Sequence, residues 1–468
     1  MNIETLAAKY SAIPSHWKLS TLGESLTAII GGGTPSRDNP SFWGGEIPWL
    51  TVKDMRGRRP TDAQEHITQQ AVKESATNII PPDTVITATR VGLGKVVRVP
   101  FAAAINQDLK ALVVGPDLDK SYLEYWLVSI ATFLASIGSG TTVKGIRLET
   151  LRQLPIPLAP LQEQREIVAE LEKQFSRLDE AVANLQRVKA NLKRYKASVL
   201  KAAVEGHLVE TEATLAHREG RTYETGEQLL QRILEERRAK WAGRGKYKLP
   251  VAPLKDGLPS LPDGWAWANA DQLTHLITSG SRGWGDFYSD TGVLFIRAQD
   301  IKTDALNFSD AARVDVPIDA EGTRSSVTEG DILVTITGAN VTKSALVPAL
   351  GEVAFVSQHV ALMKLAMPET ASFVFNWIVS PANGRKTLES WAYGAGKPGL
   401  SLEQVRALPI ALPPLAEQIR IVDEVDRHLS IIREVEAEVD INLQRAQALR
   451  QASLAAAFAP DKTKGTSP

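Results

Sequence analysis

The sequence predicts two tandem α/β or α+β globules, separated by two long antiparallel coiled-coil helices. Three observations support this fold class. The first part of the chain recurs in the second, each copy changes once from short β-branched runs to a helical pattern, and the helical parts keep a heptad spacing. A chain of 468 residues has room for two to four domains of ordinary size.

The repeat is clearest in a proline-led segment. PLQEQREIV at 160–168 returns as PLAEQIRIV at 414–422, a shift of 254 residues with six of nine positions identical. Other anchors keep the same order at shifts of 248 to 251 residues: IPSHW (13–17) with LPDGW (261–265), PPDTVITAT (81–89) with EGDILVTIT (329–337), and YLEYWLVS (122–129) with FVFNWIVS (373–380). Copies of this length are too long for a solenoid unit, so the pattern indicates domain duplication.

Within each copy, the first part (about 13–153 and 261–407) alternates short β-branched runs with the turn-forming residues Gly, Asn, Asp and Pro. VITAT and LVTIT have the alternation of strands, and YLEYWLVSIATFLAS (122–136) has the character of one apolar helix. Between the copies, GEQLLQRILEERRAKW (226–241) predicts a short amphipathic helix.

The second part of each copy predicts a long helix. Apolar residues follow a 4-3 spacing in both copies, interrupted at Lys189, Lys196 and Glu436: Leu171, Phe175, Leu178, Val182, Leu185, Leu192 and Val199, then Val425, Leu429, Ile432, Val439, Leu443 and Ala446. Pro160 and Pro414 suit the start of a helix, and Glu163 and Glu417 suit its positive N-terminal end. A helix of about 40 residues is roughly 60 Å long, so an antiparallel pair would hold the globules a fixed distance apart.

Composition narrows the function only a little. The chain has 53 Lys+Arg against 54 Asp+Glu, no cysteine, and no apolar run as long as a membrane span. No secretory signal is visible at the start, and we expect a cytoplasmic protein. The seven histidines form no i,i+3 or i,i+4 pair, and the glycine-lysine stretches at 92–96 and 394–398 lack the spacing of a P-loop, so we expect neither a metal site nor a catalytic set.

One alternative is a nuclease. Asp83, Asp108 and Lys110 have the order of a metal-binding PD…DxK constellation. The second copy keeps an aspartate as Asp331 but has His359 and Ala361 at the other two positions. The simpler interpretation is that Asp83 and Asp331 each cap a turn before a buried strand.

Two similar globules on a helical spacer suit a target with two separated half-sites, and DNA is such a target. The candidate contacts lie in loops rich in Gly, Ser, Arg and aromatic residues and in short basic strips, where side chains can contact phosphates and base edges. For any one of them, an ordinary solvated loop charge is the alternative. The candidates are Thr34, Ser36, Arg37, Lys53, Arg56, Arg58, Arg59, Arg90, Lys95, Lys144, Arg282, Trp284, Asn340, Lys343 and Lys397.

The doubled Pro-Leu-x-Glu-Gln-x-x-Ile-Val helix start, with helices that end in LKRYKASVLKAAVEGHL and LRQASLAAAFAP, resembles the specificity (S) subunit of type I restriction-modification systems. The resemblance covers essentially the whole chain. It implies that each globule is a target recognition domain that reads one half of a split, asymmetric DNA site, while the helix pair sets the spacer. It also implies that this chain is not itself catalytic.

The resemblance gives domain boundaries as well: recognition domain 1 at 1–158, long helix 1 at 159–206, a connector at 207–260, recognition domain 2 at 261–412, long helix 2 at 413–458, and a flexible tail at 459–468.

The implied partners are double-stranded DNA, two DNA adenine methyltransferase (M) subunits and two restriction (R) motor subunits. S-adenosylmethionine, ATP and Mg would be bound by those subunits and no cofactor by this chain. Partner contacts are expected at Glu163, Gln164, Glu417 and Gln418, for which helix N-terminal chemistry is the alternative. A third class of function, a coiled-coil scaffold that recognises proteins, is the remaining rival.

Overall fold

The computed structural model describes residues 2–139, 145–241, 246–254, 256–280, 283–316, 324–393 and 398–459. The chain forms two compact units. Unit 1 comprises Met1–Gln186 and Asp440–Pro468, and unit 2 comprises Arg187–Val439. Each unit therefore contains one globule together with segments of both long helices.

The helices are α1 (Ile3–Lys9), α2 (Gln69–Glu74), α3 (Lys120–Ser129), α4 (Ala131–Ile137), α5 (Leu148–Arg152), α6 (Leu161–Val204), α7 (Glu212–Glu219), α8 (Gly226–Ala239), α9 (Ala270–Leu273), α10 (Ala371–Val379), α11 (Gly384–Trp391), α12 (Leu402–Ala407) and α13 (Leu415–Phe458). Short 3₁₀ turns lie at Pro40–Phe42, Trp284–Phe287, Ala298–Asp300 and Pro368–Thr370. Within these described stretches, no helix is both long and apolar enough to cross a membrane.

The strands of unit 1 are β1 (Lys18–Thr21), β2 (Leu26–Gly31), β3 (Trp43–Leu50), β4 (Glu65–Ile67), β5 (Ile79–Ile80), β6 (Val85–Ala88), β7 (Val96–Arg98), β8 (Ala103–Ile105), β9 (Leu109–Val114) and β10 (Pro155–Leu158). They form an antiparallel sheet in the order β2-β9-β6-β7, a mixed sheet in the order β4-β3-β8-β5, and the antiparallel pair β1-β10. In the mixed sheet, β3 and β8 run parallel.

The strands of unit 2 are β11 (Ala266–Asn269), β12 (Thr274–Ser279), β13 (Tyr288–Ser289), β14 (Val293–Ile296), β15 (Ile301–Lys302), β16 (Ala305–Leu306), β17 (Ala312–Val314), β18 (Ser326–Val327), β19 (Ile332–Thr335), β20 (Ser344–Leu346), β21 (Ala354–Val356), β22 (Val360–Leu365) and β23 (Pro409–Leu412). They form the sheets β12-β22-β19-β20 and β13-β17-β14-β21-β18 and the pairs β11-β23 and β15-β16.

The two units share one topology. The order β2-β9-β6-β7 in unit 1 matches β12-β22-β19-β20 in unit 2, and the parallel pair β3-β8 matches the parallel pair β14-β21. Both globules close with a pair between their first and last strands, β1-β10 and β11-β23. The tandem duplication and the fold class predicted from the sequence are confirmed.

The core of each unit takes in the last turns of a long helix. In unit 1, Leu454 and Phe458 of α13 are buried with Tyr122, whose ring lies 5.0 Å from that of Phe458 in an edge-on contact. In unit 2, Leu200 and Val204 of α6 are buried in the main core. Both helices have 44 residues, so these pairs occupy the same positions in their helices.

The two helices run antiparallel within each unit. In unit 1, Phe175 and Asp179 of α6 contact Arg450 of α13, with the guanidinium 4.6 Å from the Phe175 ring. In unit 2, the Tyr195 hydroxyl lies 2.9 Å from His428 Nδ1. The predicted heptad positions are buried or half-buried in both helices, as a two-helix contact requires.

Most predicted elements are present, and one is wrong. The strands VITAT and LVTIT form β6 and β19, and the connector helix is α8. The single apolar helix predicted at 122–136 is instead α3 and α4, which break at Ile130 (φ −106°, ψ 12°). Beside the break, the Ser129 hydroxyl donates to the carbonyl of Trp126 at 2.7 Å, which competes with the helical hydrogen-bond ladder. Helix α7 was not predicted.

Candidate nucleic-acid interface

The repeated Glu-Gln pair attaches each long helix to its own globule. Trp17 Nε1 donates to Glu163 at 3.0 Å, and Trp265 Nε1 donates to Glu417 at 2.9 Å. The glutamine that follows bonds back to the turn before the helix: Gln164 Nε2 donates to the Ala159 carbonyl at 2.8 Å, and Gln418 Nε2 donates to the Pro413 carbonyl at 2.9 Å. The recurring tryptophan and the recurring Glu-Gln therefore form one clamp in each unit.

The two clamps differ in solvent exposure. The side chain of Glu163 is 34% exposed and also faces His16 Nε2 at 2.9 Å. Glu417 is buried, and its second oxygen accepts from the backbone N–H of Glu212 at 2.8 Å, at the start of α7. Burial raises the pKa of Glu417 above its usual range.

These positions bear on the expected partner contacts. Gln164, Glu417 and Gln418 are buried, so their side chains have almost no surface to offer a partner subunit. Their observed bonds support the alternative, in which they serve the helix start and its attachment. A partner contact at Glu163, Gln164, Glu417 and Gln418 stays a prediction.

The first candidate loop in unit 1 joins β2 to β3 and carries Thr34, Ser36 and Arg37, all exposed. Thr34 Oγ1 donates to the side chain of Gln107 at 2.5 Å, and the Ser36 carbonyl accepts from Trp43 Nε1 at 3.0 Å. Arg37 forms a bidentate ion pair with Glu65.

Several further candidates lie at one end of the sheet β2-β9-β6-β7. Arg90 and Lys95 are exposed on the turn between β6 and β7, and Arg90 lies 3.5 Å from Asp108. Beside them, Lys110 Nζ donates to the Gln107 carbonyl at 3.2 Å, and burial lowers the pKa of Lys110. We call this group, with Thr34, the loop end of unit 1.

Arg58 and Arg59 do not belong to the loop end. Both donate to one oxygen of Glu124, which is fully buried on α3, at 2.8 and 2.5 Å. Arg98 is the last residue of β7, at the opposite end of that strand from the β6–β7 turn, and it lies 3.2 Å from the other oxygen of Glu124. Arg58 and Arg59 are thus paired with a buried carboxylate while their side chains stay 30% and 42% exposed, and their expected contact with phosphates stays a prediction.

Lys53 and Arg56, the other two members of that strip, are exposed in the segment after β3. The Lys53 backbone carbonyl accepts from the Gln64 side chain at 3.3 Å. Within the described part of the chain, the side chains of Lys53 and Arg56 form no hydrogen bond or ion pair. Their position leaves both charges available to phosphates.

In unit 2, Lys343 occupies the position of Lys95. Its carbonyl accepts from Thr335 at the end of β19 at 2.8 Å, as that of Lys95 accepts from Ala88 at 3.1 Å. Asn340 donates to the Ala298 carbonyl at 3.0 Å and accepts from Lys343 Nζ at 2.9 Å. These two candidates therefore lie together and contact one another.

Trp284 requires a correction. Its ring is buried, stacks on Phe295 at 5.4 Å, and lies 5.5 Å from Phe355. A base cannot stack on a ring that is already covered, so Trp284 supports its loop from beneath instead of forming an exposed contact. Lys144, Arg282 and Lys397 lie outside the described residues.

The nuclease alternative is not supported by the geometry. Asp83 precedes β6, whereas the Asp108 carbonyl accepts from Thr89, which follows β6. The two aspartates therefore lie at opposite ends of the strand β6. Among the described residues, no group of three or more His, Asp or Glu side chains could hold a metal ion. Asp331 caps its turn as expected, accepting from Thr328 N at 2.8 Å.

Sequence reasoning missed three polar partners: Glu65, Gln107 and Glu124. A signal existed for Gln107, because NQD at 106–108 recurs as SQH at 357–359 in the second copy. Glu65 and Glu124 gave no signal, since their arginine partners are 28 and 66 residues distant in sequence.

Comparison with known proteins gives a consistent result. The family model for the type I restriction modification DNA specificity domain matches residues 14–193. The chain is 29% identical over 167 residues to the MjaIX specificity subunit of Methanocaldococcus jannaschii, covering 34% of this chain and 38% of the relative. It is 34% identical over 167 residues to the EcoR124I/EcoR124II specificity subunit of Escherichia coli, covering 34% and 40%.

The chain thus spans about two fifths of the length of these two relatives. A longer match is to the EcoBI specificity subunit of Escherichia coli, 26% identical over 376 residues, which covers 77% of this chain and 70% of the relative.

Two solved structures share the fold over almost the whole chain. A chain from a study of complex assembly and conformational transition of the type I R-M system superposes with a TM-score of 0.64 at 18% identity, covering 96% of this chain and 99% of the other. The HsdS subunit of Thermoanaerobacter tengcongensis superposes with a TM-score of 0.51 at 18% identity, covering 96% and 98%. Residues 14–193 therefore match the type I restriction modification DNA specificity domain, and the duplicated globules with their paired 44-residue helices share the fold of solved chains from type I systems.

Proposed function

We propose that this chain is the DNA sequence-recognition subunit of a type I restriction-modification complex. Unit 1 reads one half of a bipartite, asymmetric site and unit 2 reads the other half. The observation that carries the proposal is the duplication of one topology, together with two helices of 44 residues each. A two-part target is the natural counterpart of such a chain.

The chemistry of the exposed loops of unit 1 supports DNA as the ligand. Exposed Lys53, Arg56 and Lys95 can contact phosphates, and side-chain amides such as that of Gln107 can read adenine edges. The overall charge of −1 means that the chain lacks the excess of positive charge common in proteins that hold DNA alone. If partner subunits also contact the DNA, this chain does not need an excess of positive charge of its own.

The proposed partners follow from the same role. Two adenine methyltransferase (M) subunits, which carry S-adenosylmethionine, bind this chain and modify both halves of the site. Two restriction (R) subunits, which use ATP and Mg, join them. In this scheme the chain contributes recognition and spacing but no catalysis, and binds no cofactor. The helix pair sets the number of unspecified bases between the two halves.

A selection from random DNA tests the proposal. The chain is purified in complex with its adenine methyltransferase, mixed with a pool of duplexes that contain a long randomised stretch, and the retained duplexes are sequenced. The proposal predicts enrichment of two short motifs at a fixed separation. The methyltransferase without this chain is the control and should enrich no such motif.

Three other outcomes would contradict the proposal. One continuous motif would mean that the two units do not read separate halves. Enrichment that is unchanged without this chain would place recognition in the methyltransferase. Stable complex formation without any motif, at both low and moderate salt, would favour the protein-binding scaffold instead.

A further inference from the structure

The loop that carries Arg37 is held rigidly in unit 1. Trp49 Nε1 and Thr77 Oγ1 both donate to the Gly33 carbonyl, at 3.1 and 2.7 Å, and Trp43 Nε1 donates to the Ser36 carbonyl at 3.0 Å. Gly32 is pressed against the backbone of Ile105, where an added Cβ would lie only 1.9 Å from the carbonyl oxygen. The loop is therefore fixed at both ends before any ligand binds.

The side chain of Arg37 is fixed as well. Its guanidinium lies over the Trp43 ring, 3.8 Å from the centroid, and 5.5 Å from the centroid of Trp49. Its two terminal nitrogens, Nη1 and Nη2, donate to the two oxygens of Glu65 at 2.5 and 2.8 Å. The side chain nevertheless stays 55% exposed. An exposed arginine that is already ordered loses little conformational entropy when it binds a ligand.

The contact with Glu65 uses only one edge of the guanidinium. A guanidinium has five N–H donors in a plane, and the end-on pair from Nη1 and Nη2 is the one that Glu65 occupies. The side-on pair, formed by Nε–H and the second N–H of a terminal nitrogen, is still available. Within the residues that the structure describes, no hydrogen bond engages Arg37 Nε.

That free edge has the geometry of a base contact. Two parallel N–H donors match the O6 and N7 acceptors that guanine presents in the major groove. The Glu65 carboxylate also neutralises the guanidinium, and the arginine in turn holds the pKa of Glu65 below its usual range, so the pair stays charged at neutral pH. A neutralised arginine gains less from a phosphate than a free one does, whereas its two-donor edge is unchanged.

We propose that the side-on edge of Arg37 is a guanine-binding site in the half-site of unit 1, with Glu65 as its positioning residue and Trp43 as its supporting surface. This inference rests on the proposed function and deepens it, because it assigns one base to one side chain. Phosphate contact at Arg37 is the competing role, and the experiment below separates the two.

Unit 2 supplies a matched control. Arg313 and Glu352 form a second exposed bidentate pair, with N–O distances of 2.7 and 3.0 Å and side-chain exposures of 34% and 40%. Breaking this pair removes an ion pair of the same kind from the other unit. Loss of the Arg313–Glu352 pair should leave the preference for bases in the unit 1 half-site unchanged.

The test measures binding of the methyltransferase complex to its two-part duplex and to duplexes with each base pair of one half changed in turn. The variants are Arg37→Lys, Glu65→Gln and the control Arg313→Gln. Arg37→Lys keeps the charge but loses the planar guanidinium, and with it the two parallel N–H donors that the Glu65 pair and the Trp43 ring hold in one orientation. It should reduce the preference for guanine at one position of one half by roughly 5- to 150-fold, with the salt dependence unchanged.

Glu65→Gln gives an independent readout of positioning. Losing the carboxylate releases both the orientation and the neutralisation of Arg37. The guanine preference should weaken by a smaller factor, while the slope of log affinity against log salt should become steeper by up to about 0.9, the value of one phosphate contact. A purely structural role would instead lower affinity for every duplex equally and leave the slope alone.

Other results would overturn the assignment. If neither variant changes the base preference, or both weaken all duplexes alike, Arg37 does not read a base. If the unit 1 half-site contains no guanine, the site binds something else. A wild-type complex without any two-part preference would refute the proposed function, which is a different outcome from the failure of Arg37 alone. Thermal unfolding of each complex shows whether the variants fold.

Discussion

The same residue type has different surroundings in the two copies of the helix start. The Glu163 side chain is 34% exposed and faces His16, whereas Glu417 is enclosed by Trp265 and the start of α7. A buried carboxylate that satisfies two N–H donors is hard to replace, because each donor left unpaired in the interior loses about 1–3 kcal/mol. The sequence, which repeats Glu-Gln in both copies, does not distinguish the two environments.

We therefore expect Glu417→Ala to lower the free energy of unfolding of unit 2 by about 1–3 kcal/mol, the net of two lost hydrogen bonds and the relief of burying a charge. The matched Glu163→Ala should lower that of unit 1 by at most about 1 kcal/mol, since water replaces the lost partner. Urea unfolding followed by tryptophan fluorescence measures both. If both variants lose the same free energy of unfolding, the difference in solvent exposure between Glu163 and Glu417 does not affect stability.

His275 gives a pH-dependent prediction in unit 2. Burial lowers its pKa, and Nδ1 lies 3.1 Å from the Leu365 carbonyl, with Lys240 and Lys364 opposing a positive charge and Asp331 favouring one. Because the folded state takes up the proton less readily than the unfolded state, the free energy of unfolding should fall as the pH drops below about 6.5 and level off below the folded pKa.

Replacing His275 with Gln should remove that part of the pH dependence. Urea midpoints of wild type and variant at a series of pH values between about 7.5 and 5 provide the measurement. If the two curves stay parallel throughout, the His275 imidazole does not contribute.

For individual residues, the sequence predicted which residues lie in turns better than it predicted which side chains contact them. Lys95 and Lys343 were predicted from the turns after two strands, and both turns exist at equivalent places. Arg58, Arg59 and Trp284 were also predicted as contacts, but tertiary packing gives them other neighbours. Glu124 reaches Arg58 across 66 residues, and the Phe295 and Phe355 rings cover Trp284. Contacts of this kind have no local sequence signature.

Each long helix belongs to both units through its ends. Leu200 and Leu454, at the same position of α6 and α13, are buried in the cores of unit 2 and unit 1 respectively. The heptad pattern predicted the two helices and their length closely. The heptad pattern could not predict that the last turns of both helices complete the cores. Apolar residues recur at the same spacing whether they face the partner helix or the core of a globule.

Truncating either leucine should therefore destabilise a globule as well as the helix pair. Leu454→Ala should destabilise unit 1, and Leu200→Ala unit 2, each by about 2–5 kcal/mol. Leu449, which lies on α13 and is 54% exposed, is the control, and its change to Ala should alter the free energy of unfolding by less than about 0.5 kcal/mol. Similar effects at Leu449 and Leu454 would contradict the core assignment.

The helix pair should act as a ruler. Inserting seven residues near the middle of both α6 and α13 preserves the seam, because seven residues are one full heptad, and lengthens each helix by about 10 Å. The spacer in the DNA site should grow by about three base pairs, with both half-sites unchanged. A spacer that keeps its length would refute the ruler, and an insertion in only one helix should disrupt the pairing.

For the whole molecule, duplication is the feature that the sequence predicted best. Shifts of 248 to 254 residues between anchors correspond to two sheets of matching order in units 1 and 2. Under the proposed function, each unit needs only a local set of basic and amide groups, which is compatible with an overall charge of −1. Which bases those groups read depends on loop geometry, for which the sequence has no simple code.

The most direct measurement is the methylome of a bacterial host that lacks adenine methylation and expresses this chain with its adenine methyltransferase. Sequencing of 6-methyladenine should reveal one two-part motif with a fixed gap, absent when this chain is omitted. Arg37→Lys should relax one position of one half and leave the other half intact. Methylation at a continuous motif, or at the same sites without this chain, would contradict the account.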